Sequence, residues 1–392
     1  MRITDVVPLV MGTSWRNLIF LKVLTDEGLI GIGEATLHNR EEGVLGYLEG
    51  AKRRHIVGSD PFNIEDLWMR MYRNDFWRHG DIALTVLSGV EIACWDILGK
   101  AVGRPVWQLL GGRCHETLPA YANGWYTVAR DPAEFAAAAK KVTAQGYKAL
   151  KVDPFGAGLY ELSQAEKRRS IELVEAVRGA VGDDVEIFIE AHGRFGVRTA
   201  IDMARALEPF HPGWFEEPVP PENMDALKAA YDRINIPVAT GERFYTRYDY
   251  HRLFQVPRCD IIQPDVIHCG GLLETKKIAA MADANYVTVA PHNSEGPVTT
   301  AATLHLNVTL TNFKIQENFD DFVEPWVKQA VPGAPECRNG YFEPPTAPGL
   351  GIRLNEDLIK EHPYKPGFFN LFAEDWQRRQ FLGNQPNGSE RV

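Results

Sequence analysis

The stretch EIFIEA, residues 186–191, packs three apolar side chains into a short β-prone run and closes it with an acid, Glu190. Seven other runs share that build: LPAYAN (118–123), ALKVD (149–153), WFEEP (214–218), PVATGE (237–242), DIIQPD (260–265), VTVAPH (287–292) and FKIQEN (313–318). Helical patterns lie between them, so strands and helices alternate as in βαβ units. Eight parallel strands at a spacing of about 25 residues predict an α/β chain built on a (β/α)8 barrel, because a strand, a helix and two loops consume roughly that much sequence.

Ahead of the barrel, ITDVVPLV, NLIFLKVLT and LIGIGEAT read as three strands, the last two joined by the turn DEG (26–28) into an antiparallel hairpin. FNIEDLWMRMY (62–72) is amphipathic, and IALTVLSGVEIACWDILGKAVG (82–103) is apolar on most faces, which predicts a buried helix ending near Gly103 and Pro105. GIGEA (31–35) lacks the third glycine and the strand-to-helix setting of a dinucleotide fingerprint. The expected organisation is an α+β capping domain over 1–115, the barrel over 116–340, and a C-terminal segment, 341–392, that returns to complete the cap. Its tail, GNQPNGSERV (383–392), reads as polar and frayed.

With 392 residues, 45% of them hydrophobic, the chain can bury a large core, and a net charge of −10 argues against a binder of nucleic acid backbones. Five scattered cysteines without CxxC spacing point to neither a disulfide framework nor a zinc site, and fit a reducing cytoplasm. The N-terminus lacks the pattern of a secretion signal and no run reads as a membrane span, so no membrane partner is expected.

The run ends carry the chemistry. Asn123, Asp153, Glu190 with His192, Glu216 with Glu217, Glu242, Asp265, His292 and Glu317 fall at the carboxyl ends of successive strands, the end where barrel enzymes build their sites. Glu190, Glu216 and Glu242 end three consecutive strands, and three carboxylates without a thiolate select magnesium over zinc. Glu217 points across the strand period from Glu216 and is the weaker ligand candidate. Asp265 and His292 end the next two strands, where a carboxylate can hold an imidazole in the tautomer of a general base.

Together the acid trio, the Asp265/His292 pair and Glu317 resemble the enolase superfamily in its mandelate racemase-like group. YANGWY, GYKALKVDPFG, EAHGRF and ENF are similar to the gluconate and galactonate dehydratases of that group, and GRPVWQLLGG to its capping domain. The resemblance implies a carboxylate substrate on the metal, a base that takes its α-proton, and loss of the 3-hydroxyl assisted by the histidine of HGR, here His192. It places Glu317 in the catalytic set and implies an even-numbered homo-oligomer. Trp15 and Arg16 in one cap loop, and Trp77, Arg78 and His79 in another, are suited to covering and reading a polar substrate.

One position departs from the racemase pattern. Racemases of the group carry a second lysine two residues after the first, and this chain has Asp153 after Lys151. That leaves a base on one face only, which favours elimination over racemisation. Lys151 is expected to contact the substrate carboxylate, and Asp153 to accept hydrogen bonds from a substrate hydroxyl, His192 or Arg194. The expected activity is conversion of an aldonate to a 2-keto-3-deoxy acid. The alternatives are a racemase or cycloisomerase of the same superfamily, and a non-catalytic sugar-acid-binding barrel.

Overall fold

A computed structural model describes residues 1–381 except 79 and 256–258. His79 and the tail 383–392 therefore lie outside the described residues. Strands β1 (Ile3–Gly12), β2 (Asn17–Thr25) and β3 (Ile30–Glu34) form an antiparallel sheet in the order β1-β2-β3. The predicted amphipathic helix is Ile64–Tyr72, and the apolar one is Asp81–Val102, closed by Gly103 in the left-handed conformation. Asp81–Val102 is long and apolar enough to cross a membrane, but most of it is buried inside the protein.

The glycines of GIGEA serve this packing. A Cβ at Gly31 would stand 2.1 Å from Ala93 O, and one at Gly33 would stand 1.9 Å from Gly89 O, so only glycines let β3 lie directly on the helix backbone.

The barrel strands are β4 (Leu118–Ala122), β5 (Ala149–Val152), β6 (Glu186–Glu190), β7 (Trp214–Glu216), β8 (Val238–Thr240), β9 (Ile261–Ile262), β10 (Thr288–Val289) and β11 (Gln316–Asn318). They run parallel in the order β10-β9-β8-β7-β6-β5-β4-β11, and a parallel bridge between Val289 and Phe313 closes the ring. After β11 the helix shrinks to Pro325–Gln329, and a short strand, β12 (Tyr341–Phe342), pairs antiparallel with β4.

Each strand or its flank gives one side chain to an enclosed apolar layer: Tyr121, Ala149, Phe188, Trp214, Ala239, Ile261, Ala290 and Ile315. Large and small residues together fill the ring, with the Phe188 and Trp214 rings of neighbouring strands stacked at 3.4 Å. Side-chain direction repeats every two residues along a strand. The next inward position is therefore Asn123, Lys151, Glu190, Glu216, Gln263, His292 or Glu317, with Gly241 on β8, and a largely polar layer lies directly on the apolar floor.

Two acids of the cap lock onto the barrel. The helices Gly271–Ala284 and Pro297–Asn307 both have a glycine at the N-cap and no side-chain cap of their own. Glu91 accepts from the backbone N–H groups of Leu272 (2.8 Å) and Leu273 (3.0 Å), and Glu34 from that of Thr299 (2.9 Å). Burial pushes both carboxyls up to about 7. The C-terminal segment also returns to the cap, where Asn17 bonds Lys365 and Asn39 bonds Phe369 through both side-chain amide groups.

Candidate active site

The strand ends converge on a cavity of about 320 Å³. Its wall includes Trp15, Arg16, Asn123, Lys151, His192, Glu242 and His292. Glu242 on that wall and Glu190 and Glu216 behind it each bring an oxygen within 4.8 Å of the others. Glu217 turns away from the trio and pairs with Arg243 at 2.6 Å.

The trio fits a divalent cation. Glu190 Oε2 is buried and has no hydrogen-bond partner, with the Lys151 ammonium 3.6 Å away, beyond hydrogen-bond reach. Burial and the charge of Glu216 hold the Glu190 carboxyl well above its ordinary range. Burial would raise Glu216 too, but the Lys151 ammonium together with the neighbouring Glu190 and Gln263 side chains overcomes it and holds that group low. Three crowded oxygens with an orphan among them leave negative charge that a hard cation would neutralise.

Lys151 is almost fully buried, with Nζ 2.9 Å from both Glu216 Oε1 and Glu317 Oε1 and 3.6 Å from Glu190 Oε2. Glu317 is buried off the cavity wall. It holds Lys151, accepts from Asn123 Nδ2 at 2.8 Å and accepts from the Asn293 N–H at 2.7 Å. Its oxygens are thus engaged with the protein rather than aimed at the cavity.

Two histidine–aspartate dyads of the same build face the cavity. His292 Nδ1 lies 2.6 Å from Asp265 Oδ2, and His192 Nδ1 lies 2.6 Å from Asp153 Oδ2. An ionised carboxylate only accepts, so each Nδ1 carries hydrogen and each Nε2 is left for chemistry. His292 Nε2 stands 3.4 Å from Glu242 Oε2. Burial would depress His292, but Glu242, Glu295 and Asp265 overcome it and hold the imidazole well above its usual value. The dyads sit after β10 and β6, four strands apart in a ring of eight, and so on opposite sides of the mouth.

His192 lies past the end of its strand: β6 stops at Glu190, and His192 takes a left-handed turn (φ 48°) while its N–H donates to Glu190 Oε1. Asp153 holds His192 and Arg194, the two protein partners expected for it. Two expectations need correction. Arg194 does not reach the cavity wall, because its guanidinium is buried against Asp153 and the carbonyls of Ala191, Phe155 and Gly156. Trp77 is 81% exposed and lies off the wall, its ring against Phe76.

The structure adds wall residues that the strand pattern did not signal. His268 and Glu295 each follow a dyad member by three residues, in loops, with His268 Nε2 3.8 Å from Glu295 Oε1. Tyr126, Trp376 and Arg379 also line the cavity, the last two from the C-terminal segment.

Family descriptions match both parts of the chain. "Mandelate racemase / muconate lactonizing enzyme, N-terminal domain" covers residues 4–111, and "Enolase C-terminal domain-like" covers 134–358. The chain belongs to the mandelate racemase-like group of the enolase superfamily. Among similar proteins in this family is a D-gluconate/D-galactonate dehydratase of Picrophilus torridus, 37% identical over 90% of each chain. A D-mannonate dehydratase of Caulobacter vibrioides is 35% identical over 90% of this chain and 93% of its own. The crystal structure of a mandelate racemase/muconate lactonizing enzyme from a Sulfitobacter species superposes with a TM-score of 0.88 at 34% identity, covering 93% of this chain and 96% of that one.

Proposed function

We propose that the chain is a magnesium-dependent sugar acid dehydratase that converts an aldonate to a 2-keto-3-deoxy acid. The observation that carries this reading is the pair of His–Asp dyads on opposite sides of the mouth, with the acid trio beside them. Relatives that act as gluconate, galactonate and mannonate dehydratases support the substrate class.

Glu190, Glu216 and Glu242 would hold the metal. When bound, the cation supplies positive charge against the charge that develops on the substrate carboxylate, and offsets Glu242, the strongest attraction holding a proton on His292. Asp265 orients His292 so that Nε2 takes the C2 proton. The electron pair left at C2 then expels the C3 hydroxyl, which departs as water with a proton from His192. Asp153 orients that second imidazole. The resulting enol tautomerises to the ketone. The same reading places an even-numbered homo-oligomer in the cytoplasm, where five free thiols are stable.

A second reading follows from the equal build of the dyads. Two imidazoles on opposite faces could act as two bases and invert C2, as a racemase requires. A split between exchange and elimination separates the readings. His192→Asn should retain C2 exchange with deuterated water on a 3-deoxy aldonate, which has no C3 hydroxyl to lose. On the intact aldonate the variant should make roughly 10²–10⁴-fold less keto acid, the size of a general acid's contribution. Equal loss of both activities would remove His192 from the acid role, and an epimer formed by wild type without water loss would favour the two-base reading.

A further inference from the structure

Among the described residues the cavity wall carries five lysine and arginine side chains, and four of them are engaged. Lys151 is held by Glu216 and Glu317, Arg40 by Asp81 at 2.8 Å, Arg243 by Glu217, and Arg16 by the carbonyls of Ser294 and Glu295. The fifth, Arg379, is only 6% exposed, and among the described residues its guanidinium has neither a carboxylate partner nor a hydrogen-bond acceptor. An isolated buried charge is costly unless something pairs with it. Burial pushes Arg379 down to about 10, with Arg16 as a like-charged neighbour.

The slot for this guanidinium is built into the fold. It stands 4.3 Å over the Phe319 ring, with Trp15 at 5.6 Å and Tyr126 at 6.0 Å. Gly124, at φ 89°, leaves open the space it needs, since a Cβ there would lie 2.8 Å from Nη1 and 2.9 Å from Nη2. Trp376 and Gln377 anchor the segment: both are buried, Gln377 Nε2 donates to Val128 O at 3.1 Å, and Trp376 meets the His192 ring edge-on at 5.4 Å. Arg379 itself takes a left-handed backbone (φ 51°), a strain that a non-glycine residue keeps when its surroundings require it.

Topology gives the slot its meaning. Gly124 follows β4 and Phe319 follows β11, whereas Glu242 follows β8 and Glu216 ends β7. In the ring order, β4 lies four strands from β8 and β11 four from β7, so Glu216 and Glu242 stand across the mouth from Arg379, with Glu190, at the end of β6, between them. An acid held by its carboxylate at the trio, with C2 and C3 between the two dyads, would extend its remaining carbons toward Arg379.

We propose that Arg379 is a substrate-specificity residue that binds the oxygen-bearing end of the sugar acid remote from the reacting carboxylate. This rests on the dehydratase reading and deepens it. The group read is a terminal hydroxyl or a second carboxylate, and both present oxygen acceptors to the guanidinium's donors.

The test compares wild type, Arg379→Met and Arg379→Lys on 2,3-dihydroxy acids of six, five, four and three carbons, with magnesium present. Poorly turned-over acids are read as competitive inhibitors, so each yields a constant. For six-carbon acids Arg379→Met should raise KM or Ki about 10–100-fold, the range of a hydrogen bond to a charged group, with a smaller change in kcat. The loss should shrink as the chain shortens and vanish for three carbons, and Arg379→Lys should recover part of it. A greater loss on the six-carbon dicarboxylic acid than on the matching aldonate identifies a carboxylate as the group read, and equal losses identify a hydroxyl. Equal loss at every length, or none at any length, overturns the proposal. Wild type that neither turns over nor binds any sugar acid overturns the dehydratase reading first, and this inference with it.

Discussion

Replacing His292 with asparagine is expected to abolish C2 proton removal while leaving the fold and metal site intact. The loss should reach the upper end of the roughly 10²–10⁴-fold that a positioned general base contributes. The reason is geometric. Asp265 Oδ2 fixes His292 Nδ1 at 2.6 Å and leaves Nε2 as the free nitrogen, whereas an asparagine amide at this position cannot accept a proton near neutral pH. Asp265 Oδ1 also accepts from the Ile267 N–H at 2.9 Å, a bond that an Asp265→Asn amide oxygen can retain. That variant should therefore fold and lose less activity than His292→Asn, through an imidazole held in the wrong tautomer. Deuterium exchange at C2, followed by NMR with a 3-deoxy aldonate, reads the step in isolation. Exchange at the wild-type rate in His292→Asn would give the base role to another residue.

The second large effect is expected at the trio. Glu190→Gln should weaken magnesium binding by more than the roughly 10–100-fold that outer-sphere changes cost, and turnover should fall with it. Glu190 Oε1 accepts from the His192 N–H, and a glutamine oxygen can preserve that turn. Oε2 is the buried oxygen without a hydrogen-bond partner, and an amide nitrogen there offers donors where the metal needs an anionic ligand. The metal-free variant should melt no lower than metal-free wild type, because the change replaces a carboxyl whose anionic form burial and Glu216 already disfavour. Calorimetric titration with magnesium and a thermal melt separate loss of the ligand from loss of the fold. Unchanged magnesium affinity would place the metal elsewhere.

What was legible in the sequence follows from periodicity. The barrel showed in eight apolar runs of regular spacing, and the polar layer in residues such as Lys151, Glu190, Glu216 and His292, each two positions beyond a side chain of the apolar floor. Strand ends are local facts, so their residues could be placed without coordinates. Partner choice is not local. Arg194 shares a short segment with Glu190 and His192, yet the left-handed turn at His192 sends its guanidinium beneath the mouth to Asp153. Trp77 has the chemistry of a covering residue but no pattern fixing its distance from the mouth.

Long-range closure was the least legible part. Glu34 and Glu91 cap barrel helices more than 150 residues away in sequence, and a buried acid in a strand or helix does not announce such a partner. The segment around Trp376 and Arg379 has no helical or strand period, so neither residue could be assigned to the site before the structure placed it there. His268 and Glu295 lie in loops three residues past dyad members, a spacing that only the three-dimensional path of the loops brings to the cavity.

The most direct test of the central claim is product analysis of purified wild-type protein with magnesium and a set of stereoisomeric aldonates in deuterated water. The dehydratase account predicts that at least one aldonate loses a single water to give a 2-keto-3-deoxy acid carrying solvent deuterium at C3, and that chelation stops the reaction. A C2 epimer formed without loss of water, or no change in any aldonate, would contradict it.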